Sequence, residues 1–325
     1  MPTSPETQNL RLAELLASLS LAIDLGTGQP FEWVLRCTLL GVSLAKALGL
    51  NEDECAEVYY LALLRHVGCT AYAHQDAAMF GDELAIADGM TLDMDDMQAM
   101  MAWLFRSVGK GLPTLTRVSM IARMMAAGPH AADENHQGHC EVGERVAQTL
   151  GLSARIQEGL SQVYERWDGK GPKKIKGEDI LRPVRIVQLA QDAATFYQVS
   201  DAETATAMVR ARAGRYFDPT LADFFGQHAA DVLKPLQTPS MWDAVLAAEP
   251  GVAQWLTEAQ FDMGARVVAD FTDMKSPYTL GHSSHVAELA AQTARQCNLP
   301  ESEVVALRRA GLLHDIGRVG VSAGI

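Results

Sequence analysis

Three side chains in the C-terminal fifth of the chain could do chemistry together. His314 and Asp315 are adjacent, just before Gly317, at the C-terminal end of an apolar-periodic segment. His282 opens the preceding segment of the same kind. Two imidazoles and a carboxylate suit Fe, Mn or Zn. A metal held there would lower the pKa of a bound water and polarise a phosphoryl oxygen. The alternative is simpler: the three groups hydrogen-bond to one another. A lone His-Asp pair is a weak signal in a chain with nine histidines.

The elements that must position these residues are helices. Between Glu32 and Leu48, the residues Val34, Leu35, Leu39, Val42, Ala45 and Leu48 recur at three- and four-residue steps. Val58, Leu61, Ala62 and Leu64 do so between Glu52 and His66, and Val286, Leu289, Ala290, Thr293 and Ala294 between Ser283 and Cys297. Each pattern predicts a helix that buries one face. No alternating strand pattern stands out, so the fold class is all-α. Gly128-Pro129, Gly169 to Pro172 and Phe217-Asp218-Pro219 read as loops, and Pro300 with Glu301 as a helix start. Antiparallel neighbouring helices would bring the end carrying His314-Asp315 beside the start carrying His282.

An internal repeat organises the chain. LNEDECAEVYYLALLRHVG, from Leu50 to Gly68, matches LPESEVVALRRAGLLHDIG, from Leu299 to Gly317, at an offset of 249 residues (299 − 50). Upstream, Gly28-Gln29 aligns with Gly281-His282 at an offset of 253 (282 − 29), which gives the first copy four extra residues. Two copies of one unit are the economical reading.

The second copy, SPYTLGHSSHVAELA followed by AGLLHDIGRVGV, resembles the opening half of HD-GYP domains. These belong to the HD superfamily of metal-dependent phosphohydrolases. The first copy supplies the closing half of the same resemblance in HCEVG, YERWDGKGP and IKGEDILRPVRIVQLAQD. The resemblance implies an HD-domain-like helical bundle, repeated in tandem with the second copy represented by its opening part. It divides the chain into a degenerate HD-GYP-like domain at 10–230, a connection at 231–260 and the start of a second domain at 261–325. The family implies divalent metal, two ions in a complete domain, and hydrolysis of cyclic di-GMP or a related phosphodiester. On that basis His282, His314 and Asp315 are metal ligands. Arg318 stands where the family usually has Lys, and is the catalytic candidate as a phosphate contact. Arg keeps the positive charge but does not give up its proton.

In the first copy the ligand positions have decayed. The first His falls on Gln29, the His-Asp pair on Arg65-His66, the later His on His139, the His-His pair on Val163-Tyr164 and the late Asp on Gln191, beside Asp192. An Arg at a metal position repels a cation and fills its space. The GYP signature is also broken, since Gly171 runs into Pro172. The first copy therefore reads as metal-free, with His66 and His139 as packed residues. The retained Glu165, Arg166, Trp167 and Asp168 read as loop structure.

Composition bounds the function. Lys plus Arg is 27 against 40 Asp plus Glu, a net charge of −13, which argues against direct nucleic-acid binding or attachment to an anionic membrane. Five cysteines without a CxxC pair fit a reducing cytoplasm and no disulfide framework. No apolar run is long enough to span a membrane. Two functions follow: a cyclic-di-GMP phosphodiesterase-like phosphohydrolase working through the second copy, or a non-catalytic dimerisation or sensing module of a signalling protein. A homodimer is expected in either case.

Overall fold

The computed structural model describes residues 10–93 and 95–323, with the side chains of 85, 88 and 127–133 outside that description. Among the described residues there are fourteen α-helices and no strand. They are α1 (Leu12–Gly26), α2 (Trp33–Ala47), α3 (Glu52–Leu64), α4 (Ala73–Phe80), α5 (Met97–Ser107), α6 (Thr114–Thr149), α7 (Ala154–Leu160), α8 (Arg182–Val199), α9 (Ala202–Ala211), α10 (Pro219–Leu233), α11 (Met241–Ala247), α12 (Glu258–Asp273), α13 (His282–Gln296) and α14 (Glu301–Leu313). The all-α expectation holds. No helix among the described residues is long and apolar enough to cross a membrane.

Local chemistry sets the helix starts. Asn51 Oδ1 accepts from the Glu54 amide at 2.9 Å, and Glu54 Oε2 accepts from the Asn51 amide at 3.1 Å. This reciprocal cap uses two amide groups that helix geometry would leave unpaired. Pro219 and Pro183 sit in the first turns of α10 and α8, where no intrahelical N–H is needed. The expected faces of α2 and α3 are buried, and they pack with α8 around one large core that also takes in α1, α10 and α11.

Two sequence expectations fail. Gly128-Pro129 does not break the chain, because α6 runs from Thr114 to Thr149. Packing on both sides outweighs the cost of about 3 kcal/mol for an interior Pro. Met120 and Ile121 belong to a small cluster with α5, while Cys140, Val146 and Ala147 belong to the main core. The second failure concerns α13, which buries Ser283, Ala287, Ala291 and Ala294, not the face carrying Leu289 and Thr293. Leu289 is 65% exposed, whereas Leu40, its counterpart in the repeat, is fully buried. The helix α8 packs on α2, and no described residues play that part for α13.

The C-terminal helices dock on the N-terminal unit. Helix α12 crosses α1 where a Cβ on Gly264 would meet the Leu15 Cδ2 methyl, so a larger residue there would require Leu15 to shift. Val267, Val268, Phe271 and Val319 complete the main core. Thr70 Oγ1 donates to the Phe271 carbonyl at 3.4 Å, and the Leu12 amide to the Gln254 carbonyl at 2.8 Å.

Candidate metal centre

Helices α13 and α14 lie side by side, close enough that a Cβ on Gly311 would strike the Ala287 backbone. This packing brings the start of α13 to the end of α14. The donor atoms of His282, His314 and Asp315 all fall within 4.8 Å of one another. His282 Nε2 is 3.6 Å and His314 Nε2 3.5 Å from Asp315 Oδ2. The sequence-predicted donors thus converge.

The surroundings prepare these groups. His314 Nδ1 donates to the Gly311 carbonyl at 2.8 Å, which leaves the Nε2 lone pair facing Asp315. Arg318 Nη1 donates to Asp315 Oδ2 at 2.8 Å. That hydrogen bond, with the nearby histidines, holds the Asp315 carboxyl below the usual range. Ligand atoms about 2.1 Å from a tetrahedral metal lie roughly 3.4 Å apart, close to the two separations here. The donor set therefore suits a divalent ion in chemistry, and both separations from Asp315 suit one in spacing. His285, one turn along α13, is exposed and outside the group.

Asp273 and Lys275, which sequence reasoning missed, hold this site in place. Asp273 accepts from the Ser283 amide at 2.8 Å and from Ser283 Oγ at 2.7 Å, fixing the start of α13 beside His282. Lys275 Nζ donates to the Val319 carbonyl at 2.6 Å, one residue after Arg318. Extending the repeat upstream would have revealed Asp273, because Asp24 precedes it by 249 residues (273 − 24).

The same correspondence corrects the sequence alignment of the N-terminal unit. Asp24 accepts from the Val34 amide at 3.1 Å, as Asp273 does from Ser283. Glu32 caps α2 with φ of 67°, and Gly281 caps α13 with φ of 75°. Each pair keeps the spacing of the repeat, so Trp33, not Gln29, stands at the position of His282. There are no four extra residues. Trp33 is buried, its ring centroid lies 5.0 Å from that of His66, and its Nε1 donates to Thr195 Oγ1 at 2.9 Å.

Other groups fill the rest of that decayed site. Arg65 lies 5.5 Å over the Tyr164 ring, with Nε and Nη1 buried and unpartnered. His66 Nε2 shares a 2.8 Å hydrogen bond with Gln191 Oε1, and its Nδ1 is 3.6 Å from Cys69 Sγ. Burial, aided by the Arg65 charge, drives His66 down to about 3. Burial likewise takes His139 to about 4. Asp192 pairs with Arg212. A fixed cation and an indole occupy two of the positions where the other unit has imidazoles, and no metal donor group forms here among the described residues.

The retained loop is structural in its contacts. Glu165 is buried and accepts from the Lys173 amide at 2.7 Å and the Ile175 amide at 2.9 Å. Arg166 spans Asp95 at 2.7 Å and Asp168 at 2.9 Å while lying 3.8 Å over the Tyr216 ring.

Comparison with known proteins identifies the family. HD-domain family profiles match residues 98–221 and 279–325. The chain is 31% identical over 319 residues to the 3′3′-cGAMP-specific phosphodiesterase 3 of Vibrio cholerae, covering 97% of this chain and 69% of that protein. It resembles the crystal structure of a cyclic GMP-AMP-specific phosphodiesterase from V. cholerae with a TM-score of 0.73 at 29% identity, over 97% of this chain and 72% of the other. The chain belongs to the HD-domain superfamily, a class of metal-dependent phosphohydrolases.

Proposed function

We propose that the chain is a tandem HD-GYP protein whose C-terminal unit carries a phosphohydrolase site for cyclic dinucleotides. The observation that supports this best is the convergence of His282, His314 and Asp315 within 4.8 Å. These three residues would hold a divalent Fe, Mn or Zn ion. When bound, the metal supplies an activated water and polarises the phosphoryl group.

The chain's own residues have separate tasks. The Gly311 carbonyl fixes the His314 tautomer. Asp315 supplies negative charge between the two imidazoles. Arg318 is half-exposed, with donors to spare beyond its bond to Asp315, and it contacts a phosphate oxygen of the substrate. It remains charged throughout, so its contribution is electrostatic and not proton transfer.

The substrate class rests on the Vibrio relative and on the resemblance to HD-GYP domains. Both cyclic di-GMP and 3′3′-cGAMP belong to that class, so both are to be assayed. In this reading the unit at 10–230 is a metal-free scaffold, 231–260 joins it to the unit beginning at 261, and the protein works in the cytoplasm. One observation favours the second reading, a non-catalytic signalling module: the N-terminal site is blocked by Trp33 and Arg65.

Elemental analysis tests the reading on the purified chain and on the His314→Ala, Asp315→Ala double variant. Near-stoichiometric metal that disappears in the variant is expected. Equal metal content in both removes the assignment, and absence of metal in both favours the module.

A further inference from the structure

We infer that Glu83, from the N-terminal unit, is a positioning residue for the loop that carries Asp315 and Arg318. Glu83 lies in a short 3-10 segment, Glu83–Gly89, far from the HD sequence. Its carboxylate reaches into the other unit and makes three contacts there. Oε1 is 3.0 Å from Lys275 Nζ and accepts from the Ala323 amide at 2.8 Å. Oε2 accepts from Ser322 Oγ at 2.9 Å. The Glu83 and Lys275 side chains are only 4% and 7% exposed.

Lys275 carries the restraint onward through its bond to the Val319 carbonyl. Val319 itself is fully buried in the main core. The loop after Asp315 is therefore pinned at Val319, Ser322 and Ala323, around an ion pair whose anion comes from the degenerate unit. The arrangement is one-sided. The counterpart of Lys275 in the repeat is Gly26 (275 − 249), which has no charge to offer. The restraint acts only on the unit with the intact donor set.

A buried ion pair is costly to break from one side, because the remaining charge is left uncompensated; replacing both partners costs much less. This asymmetry gives a test. Glu83→Gln, Lys275→Met and the double variant of the full chain are compared by urea unfolding, by hydrogen exchange and by Co2+ titration, read from the metal's visible absorption. Their secondary structure is checked by far-UV circular dichroism.

In Glu83→Gln, exchange at residues 319–323 is expected to accelerate about tenfold or more. Co2+ affinity should fall by a similar factor while the α2–α3 amides stay protected. The double variant should recover its urea stability, because no buried charge is left alone. Its loop exchange and Co2+ affinity should stay perturbed, because the Lys275 bond to Val319 is also gone. General structural damage would not separate the two. Unchanged loop exchange in Glu83→Gln overturns the proposal. So does a double variant whose loop exchanges as slowly as wild type. If Glu83→Gln does not fold, the double variant decides on the same two criteria.

The Co2+ arm rests on the metal reading above, whereas the exchange arm does not. Accelerated loop exchange in a protein that takes up no Co2+ supports Glu83 and removes the metal reading. Tight Co2+ binding, with exchange and affinity indifferent to Glu83→Gln, does the reverse.

Discussion

Replacing Asp24 by Asn should make the protein more resistant to urea at pH 8 and change it little at low pH. Asp24 is fully buried at the end of α1. Its Oδ1 accepts from the Val34 amide, and its Oδ2 has no partner. Burial raises its pKa from 3.8 to about 7, against the lowering effect of nearby backbone amides. Its counterpart Asp273 gains a second donor, the Ser283 hydroxyl, at 2.7 Å. Val34 stands in place of that serine, so Asp24 has no such hydroxyl.

The sign follows from linkage. A carboxyl whose folded pKa exceeds its unfolded value favours the folded state when protonated. That stability is fully present below the unfolded value and is lost as pH rises through about 7. The separation of the two pKa values corresponds to about 4 kcal/mol. At pH 5 more than half of this remains, and at pH 8 almost none. Relative to Asp24→Asn, the wild type should therefore lose stability between pH 5 and pH 8 in urea unfolding. The difference between the two proteins removes the contribution of other titrating groups, including His66 and His139. Val34→Ser should reduce the same fall by restoring the hydroxyl. If the stabilities of wild type and Asp24→Asn change in parallel with pH, to within the scatter of about 0.5 kcal/mol expected of independent sites, the argument about the missing donor is wrong.

Two further substitutions test the filled site and the uneven burial. Rebuilding the sequence signature in the N-terminal unit with Arg65→His and His66→Asp should not create a metal site, because Trp33 still occupies the position of His282; one equivalent of metal bound to that variant by elemental analysis would refute the assignment of Trp33. Leu40→Ala should cost about 2.7–5 kcal/mol and Leu289→Ala less than about 0.5 in chemical unfolding, and similar losses from the two would contradict the exposure of Leu289 on α13.

Two helices of the N-terminal unit could be read from periodicity because α2 and α3 bury the stripes that their sequences display. Periodicity failed at α13 for a definite reason. An apolar stripe shows which face a helix can bury, not that a partner is present to cover it. The donor triad was readable because its residues stand at the ends of two strongly patterned helices. The register at Gln29 was not, since a Gly-polar letter match competes with geometry. The deciding features are an aspartate that receives the second amide of the helix and a left-handed residue before it. Glu32 takes that conformation without being glycine, and so leaves no obvious mark. Glu83 was beyond sequence reasoning altogether, because its partners lie far away in the chain and belong to another unit.

The crossing of α1 and α12 has a consequence for recognition. Leu15 and Gly264 occupy the same place in the repeat, one in each unit, and they face each other. Were the crossing made by two identical units about a two-fold axis, that residue would meet itself. Two leucines would collide there, and two glycines would leave a void. In this chain the large and the small residue complement each other, and the contact joins unlike halves.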